Sequence, residues 1–294
     1  MVAGCGHGSA RRVAQAPSRP FAYDRAAPLR YRDRGVVNRG YPIAVHDVSY
    51  ASPKGGRVPG YLVVPPGRGR RPAVIYAHGS GGDRTQLLVP ATWMAARGAV
   101  ALTLSAREAR GPRPAAPPGE AALEQVRSVF AQNVVDVRRA VDVLRSLPEV
   151  DPRRIAFVGW SAGARLGAVV AGVDHRIRAF DLVSGGATPV AEYVRLAPPR
   201  LRVPLRRVLN ELDPLRWVRR AVPSALFFQD GLRDEVVSRR ALAALARAGS
   251  EPKRVRWYRA GHAPGARVYR DQLAWLSRRL GLGRPVVRGV PSGP

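Results

Sequence analysis

The chain of 294 residues has one cysteine, Cys5, and only two lysines, Lys54 and Lys253. A lone cysteine excludes an intrachain disulfide and leaves no thiolate cluster to bind a metal. The five histidines, His7, His46, His78, His175 and His262, show no H-E-x-x-H or comparable ligand spacing. No structural metal is therefore expected. No apolar run approaches the roughly 18 residues that a membrane-crossing helix needs.

Negative charge is also scarce. The sequence holds 21 Asp and Glu against 49 Lys and Arg, a formal net charge of +28. Such an excess attracts nucleic acid, anionic lipid or acidic polymers. Here the basic residues are almost all arginine and are scattered along the whole chain. They are not interleaved with aromatics, and no recognition motif accompanies them. The excess is read as compositional, with no specific nucleic-acid partner. Oligomeric state is not legible.

What is present is a mostly globular chain, 46% hydrophobic, with irregular ends. Residues 1–40 are rich in Arg, Ala, Pro and Gly without a sustained period and read as a flexible arm. Residues 283–294 read as a flexible tail. Within the arm, Val2-Ala3-Gly4-Cys5 resembles the end of a bacterial lipoprotein signal, without the charged and apolar regions that precede such a cysteine. Lipidation of Cys5 would tether the chain to a membrane outside the cytoplasm; otherwise a cytoplasmic location is expected.

Between the ends, residues 41–282 alternate between strand and helix signals. "YPIAVHDVSYAS" and "GRVPGYLVVPP" read as an antiparallel pair joined at "SPKGGR". "RPAVIYAHG", "GAVALTLS", "RIAFVGW", "IRAFDLVSG", "SALFFQDG" and "KRVRWYRAG" read as buried parallel strands. The long periodic stretch from Glu120 to Leu147, which stops before Pro148, reads as a helix. Further helices are expected at "SAGARLGAVVAG", at "SRRALAALARAG" with Gly249 as its C-cap, and at "GARVYRDQLAWLSRRLG". This predicts an α/β fold, a mainly parallel sheet covered on both faces, with its site at the carboxyl ends of the strands. Residues 187–221 are too long for an ordinary connection and read as a partly helical cap over the site.

One stretch carries the chemistry. Gly159-Trp160-Ser161-Ala162-Gly163 is a G-x-S-x-G sequence that follows an apolar strand and opens a helix. The glycines permit close backbone approach, and the serine sits on a tight turn with its hydroxyl exposed above the sheet. A serine needs a base, and the base an orienting acid, in the chain order serine, acid, histidine. His262 is the only histidine late enough in the sequence. The acid lies among Asp230, Asp234 and Glu235; Asp234, past the Gly231 turn and before Val236-Val237, is preferred, with Asp230 second. The oxyanion donors are read as the N–H groups of Ala162 and Ser80, with Gly81 the next choice for the second. His78 shapes that loop. Trp160, Gly81 and Tyr193 are the candidate substrate-binding residues.

Together, Ser161, Asp234, His262 and the glycine-rich "HGSGG" resemble the α/β-hydrolase superfamily over about residues 41–282. "VDPRRIAFVGWSAG", "DGLRDEVV" and "GHAPG" look most like the dienelactone-hydrolase and prolyl-oligopeptidase-type esterase branch. The nucleophile here is serine where dienelactone hydrolases use cysteine, and the chain has no room for a propeller. The resemblance implies an α/β-hydrolase fold, nucleophile Ser161, base His262, acid Asp234 and no cofactor. The expected activity is hydrolysis of a small-molecule carboxylic ester through an acyl-enzyme. The alternatives are a small acyl-peptide or amide hydrolase, or a lipid-anchored binding protein that has lost catalysis.

Overall fold

The computed structural model describes residues 19–37, 40–112 and 115–283. Cys5, the first half of the expected arm and nearly all of the expected tail lie outside the described residues.

Nine strands form one sheet: β1 (Arg32–Val36), β2 (Val45–Ala51), β3 (Arg57–Val63), β4 (Arg71–Ala77), β5 (Val100–Leu104), β6 (Val150–Trp160), β7 (Ala179–Val183), β8 (Ala225–Gly231) and β9 (Lys253–Tyr258). Their order across the sheet is β1-β2-β3-β5-β4-β6-β7-β8-β9. The first pairings, β1 with β2, β2 with β3 and β3 with β5, are antiparallel; all the others are parallel. β2 and β3 form the expected hairpin, with Ala51 opposite Arg57. The central strands are buried along their whole length, which is why their sequences run apolar without alternation.

Helices α1 (Leu88–Ala96), α2 (Glu120–Ser146), α3 (Ala162–Ala171), α4 (Val190–Leu196), α5 (Arg202–Leu212), α6 (Pro214–Val218), α7 (Arg239–Ala248) and α8 (Ala266–Leu280) fill the connections. The apolar faces of α2, α3 and α7 pack on one side of the sheet, together with Trp217 of α6. α1 and α8 pack on the other. The β7 and β8 side chains thus point alternately into two cores: Phe180, Leu182, Leu226 and Phe228 into the first, and Ala179, Ala225 and Phe227 into the second.

Three points depart from the sequence reading. Residues 19–37 of the arm are placed against the domain: Phe21 is fully buried, its ring 5.2 Å from that of Trp217. Tyr23 donates its hydroxyl to Asp142 at 2.8 Å on α2, and Arg32–Val36 joins the sheet as an edge strand. That strand is exposed on both faces, so it carries no alternating signal. Helix α1 was not anticipated, because its sequence is apolar almost all round and carries Pro90 in the first turn, where proline is tolerated. β6 begins at Val150 and includes Pro152, ahead of the expected start at Arg154. Gly249 is the C-cap of α7 as expected, with φ −58° and ψ 136°. Its requirement is space, since a Cβ there would stand 2.7 Å from the Phe228 ring.

The segment 187–221, expected as a partly helical cap over the site, forms α4, α5 and α6, with α5 against α2 and α6 against α3. Arg165 on α3 donates to Thr188 Oγ1 at 2.7 Å and pins the segment's entry.

Candidate active site

The parallel strands end on one side of the sheet, and the residues singled out above collect there. At the end of β6 the chain turns into α3 through Ser161, whose φ is +54° and ψ −114°. Non-glycine residues rarely adopt such a conformation, and it persists only when the surroundings enforce it. Ser161 N–H donates to Val183 O at 2.8 Å, and Ser161 O accepts from Ala164 N–H at 3.0 Å. Both motif glycines are explained by crowding. A Cβ on Gly159 would stand 2.3 Å from Gly163 O, and one on Gly163 would stand 2.1 Å from Ala77 O. The turn can therefore sit tightly between β4 and α3 only without these side chains.

The loop after β9 delivers His262. Its Nε2 lies 2.9 Å from Ser161 Oγ, although 101 residues separate the two in sequence. Its Nδ1 lies 3.0 and 2.9 Å from the two oxygens of Asp234. An ionised carboxylate only accepts, so Nδ1 carries the proton and Nε2 is free to accept from the serine hydroxyl. Asp234 is held in turn: its Oδ1 accepts from the N–H groups of Val236 at 2.9 Å and Val237 at 2.8 Å. The carboxylate side chain is only 1% exposed.

Two residues weighed above for other roles, Glu235 and Trp160, fix the His262 backbone. Glu235, weighed above as a possible acid, instead accepts the His262 N–H at 3.2 Å. Trp160 donates its indole N–H to His262 O at 3.1 Å, with its ring 5.7 Å from the imidazole. Trp160 thus braces the histidine loop and is not among the residues lining the adjoining cavity. Tyr193, 45% exposed on α4, does not line that cavity either, whereas Gly81 does.

Asp230, the second choice for the acid, lies buried on β8. Burial, and then the neighbouring charge of Asp234, push its carboxyl up from 3.8 to about 7. Because the folded value lies above the unfolded one, the stability Asp230 contributes is intact below the unfolded value and is lost as pH rises toward 7. Asp230→Asn is therefore expected to gain melting temperature over the parent, with the gain growing from about pH 5 to about pH 8. Melting curves at the two pH values check this; a larger gain at the lower pH would contradict it.

The loop after β4 faces the serine from the opposite side. His78 Nδ1 lies 2.7 Å from Gly79 O, and His78 Nε2 accepts the N–H of Ala106 at 2.9 Å. The ring therefore ties this loop to the one after β5, as a shaping residue. Gly79 N–H is taken by Gln86 Oε1 at 2.7 Å, a partner that no sequence motif indicated. Ser80 and Ala162 line the same cavity, and no hydrogen bond among the described residues engages the N–H of either. Among the described residues no cluster of His, Cys, Asp and Glu could hold a metal ion.

A chain so arranged has known counterparts. No curated protein sequence matches it. The fold is shared with an acetyl xylan esterase from Paenibacillus sp. R4, at 24% identity over 85% of this chain and 89% of that one, with a TM-score of 0.70. An acetyl xylan esterase from Thermoanaerobacterium sp. JW/SL YS485 matches at 18% identity over 89% of this chain and 91% of that one, with a TM-score of 0.73. A cold-adapted esterase from an Arctic intertidal metagenomic library matches at 20% identity over 85% and 97%, with a TM-score of 0.65. The family model of acetyl xylan esterase (AXE1) matches residues 37–184, a span that includes the G-x-S-x-G turn and the Ser80 loop. The chain belongs to the acetyl xylan esterase (AXE1) family and is a carboxylic ester hydrolase with the α/β-hydrolase fold.

Proposed function

We propose that the hydrolysis runs through Ser161, His262 and Asp234. One observation carries this reading: the imidazole of His262 bridges Ser161 Oγ at 2.9 Å and the Asp234 carboxylate at 2.9 Å. His262 Nε2 takes the hydroxyl proton as Oγ attacks the ester carbonyl. Asp234 keeps Nδ1 protonated and stabilises the imidazolium that forms. The N–H groups of Ser80 and Ala162 receive the oxyanion. The alcohol leaves with the proton from His262, and a water activated by the same ring releases the acid from Ser161.

The acetyl xylan esterases that share the fold suggest the alcohol. For this chain it is a hydroxyl-rich, sugar-like alcohol, with the ester on one of its oxygens. A purely binding role would need no such series of hydrogen bonds from Asp234 through His262 to Ser161.

Covalent labelling tests the reading. A fluorophosphonate should modify the chain once, at Ser161 by peptide mapping, and Ser161→Ala should lose both the label and turnover of 4-nitrophenyl acetate. Labelling elsewhere, or turnover retained by Ser161→Ala, would overturn it.

A further inference from the structure

The recess beside Ser161 differs in charge from the rest of the molecule. A cavity of about 710 Å³ opens over the ends of β4 and β5, between the loop after each strand and the facing sides of α2 and α3. Asp83, Glu108, Gln86 and Asn133 give it polar walls. The chain has 49 Lys and Arg, yet among the described residues none of them lines this cavity.

Of the three described arginines in these loops, Arg84 and Arg110 are occupied elsewhere, and Arg107, beside Glu108, is not among the residues lining the cavity. Arg84 pairs with Asp47, donates to Gly60 O at 3.0 Å and lies 4.0 Å over the Tyr61 ring. Arg110 pairs with Asp136 at 2.6 Å and donates to Ser105 O at 3.0 Å. The carboxylates, in contrast, are fixed at the wall. Glu108 Oε2 accepts from Asn133 Nδ2 at 2.8 Å, and Asn133 Oδ1 accepts from Arg107 N–H at 2.7 Å. Partial burial would raise the Asp83 carboxyl, but its hydrogen bonds from Thr85 outweigh that and hold it below the usual range, ionised at neutral pH.

The sheet order decides which part of an ester enters this space. The cavity lies over β4 and β5, on one side of β6; His262 follows β9, on the other. The departing alcohol must take its proton from His262 Nε2, so it leaves on the far side. With the carbonyl oxygen at the Ser80 and Ala162 N–H groups, the acyl chain is the substituent directed into the cavity. An acetyl group would fill little of it.

We infer that this cavity is the acyl subsite, that it takes acyl groups longer than acetyl, and that Asp83 and Glu108 make it favour acyl chains ending in a cation over chains ending in an anion. This rests on the ester-hydrolase reading above and adds a substrate class to it. An ammonium group at the cavity wall is attracted by these carboxylates, and a carboxylate there meets like charge with no arginine among the described lining residues to offset it.

The test uses 4-nitrophenyl esters of three acyl chains of matched length, with rates corrected for hydroxide reactivity. The chains are 4-(trimethylammonio)butanoyl, its uncharged isostere 5,5-dimethylhexanoyl, and the monoester of glutaric acid. The expected kcat/KM order is cation, neutral, anion, with about tenfold between the extremes. Glu108→Gln and Asp83→Asn should each shrink the cation-to-neutral ratio, and Glu108→Arg should invert the order. Because each ratio is taken on one protein preparation, a variant that folds incompletely still reports it.

A second pair, acetylcholine and 3,3-dimethylbutyl acetate, carries the charge in the alcohol and should give a ratio that Glu108→Gln leaves alone. A flat ranking, a ratio unmoved in both carboxylate variants, or a Glu108 effect confined to the alcohol pair would overturn the inference. Those outcomes all require ester hydrolysis that depends on Ser161. Hydrolysis persisting in Ser161→Ala would instead mark failure of the underlying reading.

Discussion

Ser161→Gly is expected to abolish ester hydrolysis and, in the same protein, to raise the melting temperature above that of Ser161→Ala. The first effect follows from loss of the nucleophile, which costs about 10⁶-fold in kcat for hydrolases of this chemistry. The second follows from the backbone. At φ +54° and ψ −114° a Cβ is strained, and a glycine is not. Relief of such strain is worth about 1–2 kcal/mol, offset by about 0.5–1 kcal/mol of extra disorder in the unfolded glycine chain. Alanine removes the hydroxyl but keeps the strain, so it is the proper reference. Calorimetric melting of the two variants, alongside turnover of 4-nitrophenyl acetate, measures both effects. A glycine variant that melts below the alanine variant would show that the turn holds no strain to release.

The second large effect is expected for Asp234→Asn, a loss of about 10⁴-fold in kcat with little change in KM. The cause is a tautomer. The N–H groups of Val236 and Val237 both point at Oδ1, at 2.9 and 2.8 Å. An asparagine carbonyl would be held at that position, and its NH₂ group would take the place of Oδ2, 2.9 Å from His262 Nδ1. Oδ1, 3.0 Å from Nδ1, already accepts two N–H groups, so the new donor at 2.9 Å favours Nδ1 as the acceptor, with the ring proton on Nε2. Nε2 then donates toward Ser161 and cannot take its proton. Steady-state kinetics on an acetate ester check the size of the loss. A loss of less than about tenfold would mean that Asp234 does not set the imidazole tautomer.

Much of this site was legible before any coordinates, and the reasons are local. A glycine pair around Ser161, a β-branched run before it and a helix-forming run after it all describe one tight turn. The order of Ser161, Asp234 and His262 then narrows the partners, because few candidate residues follow the turn. Between Asp230 and Asp234 the sequence offered a preference only. What separates them is side-chain direction: Asp230 ends a buried strand and points into the protein, whereas Asp234 sits in the loop beyond Gly231, where Val236 and Val237 N–H groups turn it toward the ring.

Other features had no local signature. Gln86 and Glu235 act through single hydrogen bonds to backbone N–H groups, which any of several residues could make. Phe21 stands in a stretch without helical or strand periodicity, and only the tertiary fold supplies the neighbours that bury it. The segment 187–221 showed its helices by composition, but its placement beside α2 and α3, rather than in the wall of the cavity, depends on contacts remote in sequence.

The two outer strands give the arginine excess a physical consequence. β1 presents Arg32 and Arg34, and β9 presents Arg254 and Arg256, all exposed along the two borders of the sheet that the described residues form, with Arg34 beside Asp47 and Arg256 paired to Asp271 at 3.1 Å. A second molecule approaching border to border would bring guanidinium groups against their own kind before any backbone hydrogen bond could form. Replacing Arg32 and Arg254 by valine or threonine would take positive charge off both borders and make such strand addition easier.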